Sequence, residues 1–459
     1  MDALISLVYT IVDSVCVCLF LDAFASRRWK DHRFLIGVIV QTILTYASIE
    51  FSVIALNRNK IVKILLILLS CFMVARTLYE NISGKFLLFL IVIEYLLTYS
   101  LSFAVGMLTS GGDCQALNAT MRGVYKTVTK NANEPVEFYG FEDGYKGLMY
   151  GKFRVLKDRD FSNILTIGGT ILGTSRVPFK EIRNPDENGI DKVAAMKDTY
   201  FKLQLDCLVV LGGNGSTKTA NLLREEGLNI ITLPKTIDND TWGTDMTFGF
   251  QSAVDVATRC IDEIHTTANS HGRVFIVEVM GHKVGWLPLN AGMAGGADVI
   301  LIPEIPYDIA KVIEVIEERD RQGKRFTIIA MAEGAISKED AALSKKDYKK
   351  KLKNYVFPSP SYELAELIRE KTGREVRVTV PGHIQRGGAP DPYDRVFASR
   401  IGAVAGMYVL KKKYGVMVAY RNREMVAVPL EEVAGKLKTV DPKANIIKEA
   451  KLLGISFGD

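Results

Sequence analysis

The sequence predicts an α/β protein preceded by an all-α, strongly apolar region, and three observations carry that expectation. From about residue 106 onward, short apolar runs alternate with helical stretches; glycine-rich turns recur directly after those runs; and the composition changes sharply near residue 105. With 459 residues, 48% of them hydrophobic, the chain can build two or three domains with sizeable cores. The formal charge is +6, yet Lys and Arg are scattered rather than gathered into one basic run, so nucleic acid is not an implied partner. The six cysteines (Cys16, Cys18, Cys71, Cys114, Cys207, Cys260) form no CxxC pair and have no histidine at ligand spacing. Reduced core residues are expected, not disulfides or a metal site.

Apolar runs in the first part extend from Ala3 to Ala25, Phe34 to Leu56, Ile61 to Ala75 and Phe86 to Val105. A spanning helix needs roughly 20 apolar residues. The first, second and fourth runs qualify, while the third is short and carries Lys63. Residues 1–104 are therefore expected to form a transmembrane helical region of three or four spans. The alternative is a bundle of buried soluble helices, but these runs are apolar all round rather than along one stripe. A cleavable signal peptide is not expected, because the first run lacks a basic leader and three more follow it. Arg27, Arg28, Lys30 and Arg33 put the first loop on the cytoplasmic side. Three spans, with the third run not crossing, then leave the remainder inside the cell. Hydropathy and basic loops loosely resemble the multi-span membrane region of bacterial sensor histidine kinases, although no catalytic motif of such kinases follows.

In the second part, strands are predicted at Gly106 to Thr109, Leu208 to Leu211, Ile230 to Leu233, Val274 to Val279, Val299 to Ile302 and Phe326 to Met331. Helices between them indicate a mostly parallel sheet, whose ligands gather at the carboxyl ends of the strands. After the first strand come Gly111, Gly112 and Asp113, then a helix starting near Ala116. Backbone amides and a helix N-terminus can meet a phosphate there, although a glycine pair is just as often a plain turn. The device recurs at Gly168, Gly169 and Gly173, leading to Arg176, and at Gly212, Gly213, Asn214, Gly215 and Ser216.

The run Pro234-Lys235-Thr236-Ile237-Asp238-Asn239-Asp240 sets two carboxylates two apart beyond a strand. One can accept a proton from an attacking hydroxyl while its neighbour handles a metal or orients the first. An Asx-turn or a helix cap is the competing explanation. Arg273, Arg377, His383 and Arg386 supply forks and a ring suited to a phosphate dianion. His383 alone would more often be a buried, satisfied histidine; beside Arg386, Gly387 and Gly388 it suits a phosphate clamp.

Taken in order, Gly111-Gly112-Asp113, Gly169 through Arg176, Gly212 through Ser216, Thr236 through Asp240, Val277-Glu278-Val279-Met280-Gly281 and Gly382 through Gly388 resemble the 6-phosphofructokinase family. The likeness covers residues 106–459. It implies two Rossmann-like three-layer lobes, roughly 105–249 with 385–435 and 250–384 with 436–459, making residues 105–459 a cytoplasmic catalytic domain. The implied reaction is ATP-dependent phosphorylation of the C1 hydroxyl of fructose 6-phosphate, with Mg2+, in a homotetramer with shared active sites. By the resemblance Asp238 is the base, supported by Asp240 and Thr236, while Arg176 and Gly112 stabilise the moving phosphoryl group. Thr236, Asp238, Met280 and Glu333 hold the sugar; His383 and Arg386 bind its 6-phosphate with Arg273 and Arg377 of the partner subunit. Gly112, Tyr145, Arg176, Gly213, Asn214, Gly215 and Ser216 form the nucleotide site, and Asn214 and Asp240 the metal site.

Three departures from the family pattern qualify these expectations. Gln115 and Ala116 replace a frequent Pro-Gly, a change expected to alter only turn stiffness. Asn214 stands where the family usually has an aspartate, which removes a negative charge near the ion. Gly215 matches ATP users, whereas Lys235 is typical of pyrophosphate users and occurs in some ATP users. A pyrophosphate-dependent enzyme and a membrane-anchored sugar-phosphate sensor without turnover remain the alternatives. A diacylglycerol-kinase-like protein shares the turn at Gly212 to Ser216 but leaves Gly382 to Gly388 unexplained.

Overall fold

The computed structural model describes residues 103–459, and the expected transmembrane region with its spans falls on residues outside that range. Among the described residues, no helix is long and apolar enough to cross a membrane. The first strand, β1 (Phe103–Ser110), is buried along its whole length. Its continuous apolar sequence is what a central strand of a covered sheet requires. The fourth apolar run therefore needs correction: a helix was expected to reach Val105, but Phe103–Val105 are already strand. Hydropathy cannot separate the two states, because a strand buried on both faces and a spanning helix are equally apolar. Hydrogen bonding decides, with the amide of Ala104 donating to the Asp206 carboxylate at 2.9 Å and Asp206 donating back to the Ala104 carbonyl at 2.8 Å.

β1 pairs in parallel with β4 (Cys207–Gly212), Gly106 facing Leu208, and β4 pairs in parallel with β5 (Ile230–Pro234), Leu208 facing Ile230. The seven-stranded sheet has the order β11-β10-β5-β4-β1-β2-β3. Its edges are antiparallel pairs: β2 (Val136–Phe141) with β3 (Phe153–Leu156), and β10 (Val416–Arg421) with β11 (Glu424–Pro429). A second, four-stranded sheet has the order β7-β8-β6-β9 and is parallel throughout. Its members are β6 (Val274–Val279), β7 (Val299–Leu301), β8 (Thr327–Ala332) and β9 (Val376–Thr379). Each sheet has its own core, one built around Leu108, Leu208, Val210, Ile230 and Met417, the other around Ile276, Leu301, Ile329 and Leu364.

Helices cover the parallel strands as crossover connections demand. The four that matter for the site are α1 (Leu117–Asn131), α2 (Asn214–Glu225), α3 (Phe250–His271) and α4 (Pro392–Leu410). Asp394 of α4 is fully buried and caps α3 from a distance of 145 residues. It accepts the amides of Gly249 at 3.1 Å and Ser252 at 2.9 Å and the Ser252 hydroxyl at 2.6 Å. Among the described cysteines, Cys114 and Cys207 are buried and Cys260 half-buried, all as free thiols. Burial pushes the Cys114 thiol up to about 12, so it acts as an inert packing residue.

Candidate active site

Most of the chemistry-bearing segments follow the carboxyl ends of parallel strands, while Arg176 comes from the loop beyond the antiparallel edge strand β3. Residues 111–113 follow β1, 213–216 follow β4, 235–240 follow β5, 280–282 follow β6, Glu333 follows β8 and 381–388 follow β9. Parallel strands end on one edge, so topology alone gathers residues that lie far apart in sequence.

On the donor side, α2 begins at Asn214 behind Gly213, with no side-chain cap and no acidic residue in its first turn. Its leading amides are therefore available to an anion. A Cβ placed at Gly215 would meet nothing within 4 Å, so the space a nucleotide needs is open. The buried Tyr145 donates its hydroxyl proton to the Ser216 carbonyl at 2.8 Å, positioning this turn from beneath. The Asn214 amide group donates to the Lys436 carbonyl at 2.8 Å. Gly111 is tied to the next turn, its amide donating to the Ser175 carbonyl at 3.0 Å and its carbonyl accepting from the Thr174 hydroxyl at 2.7 Å. Arg176 follows at once and is exposed.

The turn at residues 235–240 is shaped by its own side chains. Thr236 accepts the Asp238 amide at 3.0 Å, and Asn239 adopts a left-handed backbone, φ 53°. No helix starts at the Asp238–Asp240 turn, so the capping explanation does not apply. One carboxylate oxygen of Asp238 is buried and has no hydrogen-bond partner. Its carboxyl is pushed up to about 6, first by burial and then by the charge of Asp240, against the opposing pull of Arg386. Glu333 adds to the rise and His282 opposes it. These four side chains thus share one electrostatic environment around Asp238. Burial likewise raises Asp240 and lowers Lys235. Lys235 is buried and donates to the Gly112 carbonyl.

On the acceptor side, Glu333 takes the amides of Gly281 at 3.3 Å and His282 at 2.8 Å. Gln385, fully buried, accepts the Met280 amide at 3.1 Å and donates to the Gly382 carbonyl at 3.1 Å. Arg386 donates to the Asp113 carbonyl at 2.9 Å and lies against Gly112, where any Cβ would collide with its guanidinium. His383 is exposed, not a buried, satisfied histidine. Arg273 and Arg377 lie at the strand starts, away from the turns: Arg273, just before β6, pairs with Glu375 beside β9, and Arg377 pairs with the same Glu375 along β9.

The expectation for Gln115 needs correction, since more than turn stiffness is involved. Its side chain is fully buried and donates to the carbonyls of Gln385 at 3.0 Å and Gly387 at 3.1 Å. Sequence reasoning missed Gln115, Gln385, His282 and Lys438 as parts of the site. His282 lies one residue beyond a motif already singled out, whereas Lys438 has no local signal at all.

The profile of the phosphofructokinase family matches residues 104–409. Relatives include an ATP-dependent 6-phosphofructokinase of Spirochaeta thermophila, 55% identical over 77% of this chain and 97% of that protein. ATP-dependent 6-phosphofructokinase 3 of Bacteroides thetaiotaomicron is 44% identical over 77% of this chain and 99% of that protein. Among solved structures, phosphofructokinase of Pichia pastoris in the T-state is similar with a TM-score of 0.63 at 32% identity, covering 72% of this chain and 35% of that one. A pyrophosphate-dependent phosphofructokinase of Nitrosospira multiformis shares the fold with a TM-score of 0.64 at 19% identity, covering 78% of this chain and 92% of that one. The order of the turns, their place at the strand ends and these likenesses agree: the chain belongs to the phosphofructokinase family.

Proposed function

We propose that residues 105–459 transfer the terminal phosphoryl group of ATP to the C1 hydroxyl of fructose 6-phosphate. The observation that carries the mechanism is Asp238, a buried carboxylate with an unbonded oxygen, pushed up to about 6 and set between Asp240, Arg386 and Glu333. The C1 oxygen bonds to the γ-phosphorus as the bond to ADP breaks, and the hydroxyl proton passes to Asp238. Lys235, Arg176 and the Gly112 amide offset the charge that spreads over the moving group. Thr236, Met280 and Glu333 orient the sugar, and His383 and Arg386 hold its 6-phosphate together with Arg273 and Arg377 of the partner subunit. The pairing of Arg273 and Arg377 with Glu375, away from their own chain's turns, supports such sharing in a homotetramer.

Mg2+ fits the donor set. Asp240 offers a carboxylate and Asn214 an amide oxygen, and magnesium bound through one or two protein oxygens completes its shell with phosphates and water. When bound it would neutralise donor charge. The open space at Gly215 and the names of the relatives support ATP over pyrophosphate. We also read the lobes as 105–249 with 385–435 and 250–384 with 436–459, a division supported by the two separate sheets and by the bridge from Val299 to Ser456. Membrane attachment through residues 1–104 belongs to the same proposal, tested by assaying membrane and soluble fractions of cells.

The deciding assay offers fructose 6-phosphate and Mg2+ with either ATP or pyrophosphate. Turnover with ATP that stops on adding EDTA is expected. Turnover with pyrophosphate alone would overturn the donor, and no turnover with either would overturn the reaction.

A further inference from the structure

The segment 436–440 returns from the far end of the chain and threads between the donor turn and the catalytic turn. It begins where the Lys436 carbonyl accepts the Asn214 amide group. Leu437 forms an isolated bridge with Thr241, and the Lys438 amide donates to the Asp240 carbonyl at 2.9 Å. The Lys438 ammonium then spends all three of its protons on the turn. It donates to Asn239 Oδ1 at 2.8 Å, to the Thr244 carbonyl at 2.9 Å and to the Asp245 carbonyl at 2.9 Å. Two anchors hold the strap in place. The Trp286 indole donates to the Lys438 carbonyl at 3.1 Å, with the ammonium 5.6 Å from the ring centre, and Glu304 accepts the Val440 amide at 2.9 Å.

We propose that Lys438 is a positioning residue for phosphoryl transfer, its ammonium clamping Asn239 so that Asp238 and Asp240 keep their places. The inference rests on the assignment of Asp238 as the base. Asn239 sits between the two carboxylates in a left-handed conformation, one that asparagine accepts more readily than other side-chain-bearing residues, and its side-chain bonds fix it there. Its side-chain oxygen takes both the Thr247 amide at 3.1 Å and the Lys438 ammonium. Loss of the ammonium leaves the Thr244 carbonyl unpaired and the Asp245 carbonyl with only the 3.4 Å bond from the Asn239 amide group, and it loosens Asn239, which swings the carboxylates on either side. The groups expected to grip the sugar phosphate sit on other strand ends and are held there by other partners, Met280 by Gln385, Glu333 by the Gly281 and His282 amides, and Arg386 by the Asp113 carbonyl. Lys438 therefore acts on turnover rather than on sugar-phosphate affinity.

The test compares wild type, Lys438→Met, Lys438→Ala and Asp238→Asn in the full chain. Lys438→Met keeps the length of the side chain without its charge. Its kcat is expected to fall about a hundredfold, the cost of a small misplacement of reacting groups, while KM for fructose 6-phosphate changes less than about threefold. Propylammonium added to Lys438→Ala is expected to restore part of kcat by replacing the missing ammonium. A folded Lys438→Met enzyme with wild-type kcat, or one altered in KM alone, overturns the inference. If Lys438→Met does not fold, Trp286→Phe carries the test, because it removes the indole's bond to the strap and weakens its ring contact with the ammonium while leaving Lys438 itself intact. Its kcat should fall several-fold at constant sugar-phosphate KM, and an unchanged kcat overturns the inference. Asp238→Asn with wild-type activity would instead remove the base on which the inference rests.

Discussion

Replacing Asp238 by Asn should act on turnover and stability in opposite directions. The Asp238 carboxyl is held at about 6 against an ordinary 3.8, chiefly by burial. That difference is worth up to roughly 3 kcal/mol between the protonated and ionised forms. The sign follows from proton counting. Between pH 3.8 and about 6 the folded state binds more protons than the unfolded chain, so stability falls as pH rises through that window and stays lowered above it. Asparagine has nearly the same shape and no charge to bury. At pH 8 the variant should therefore unfold at a higher urea concentration than wild type, by up to roughly 3 kcal/mol, with the gap closing below pH about 4. Turnover should move the other way, kcat dropping by about two to four orders of magnitude because the hydroxyl proton has no acceptor. In wild type, kcat/KM for fructose 6-phosphate should rise with pH through about 6, as the base ionises. Steady-state kinetics and urea unfolding on the same preparations check both halves. Near-normal kcat in the variant refutes the base assignment; equal urea midpoints at pH 8 refute the burial account of its raised pKa.

Three further outcomes are expected. Gly215→Asp places a carboxylate in open space at the donor turn and should raise KM for ATP by at least about tenfold, with little change in KM for fructose 6-phosphate. Gln115→Met preserves side-chain length but removes the bonds to Gln385 and Gly387; at about 1.4 kcal/mol, KM for fructose 6-phosphate should rise about tenfold. Asp394→Ala strands the buried amides of Gly249 and Ser252 and should cost about 3 kcal/mol in urea unfolding, since Asp394 serves only to cap α3.

The parts of the site legible in the sequence are those in which a short stretch of chain carries its own geometry. Glycines after apolar runs mark turns at strand ends, and the Thr236 side chain organises the turn around Asp238 within a few residues. The parts that escaped depend on burial or on partners remote in sequence. Nothing local to Lys438 indicates its 199-residue reach to Asn239, and Gln115 looks like a turn substitution until its contact with Gln385, 270 residues away, is seen.

By itself, then, the sequence determined the family, the order of the phosphate turns and the carboxylate pair, because strand ends and glycine turns are properties of contiguous residues. Only the tertiary structure decided that Phe103–Val105 are strand and that Asp238 holds its proton to about 6. It also decided that Lys438 bonds Asn239, Thr244 and Asp245 around the turn that carries Asp238. The physical reason is common to all three: hydrogen-bond pairing in a sheet, desolvation and an ammonium's choice of acceptors depend on what surrounds a group in space, and chain order does not encode that neighbourhood locally.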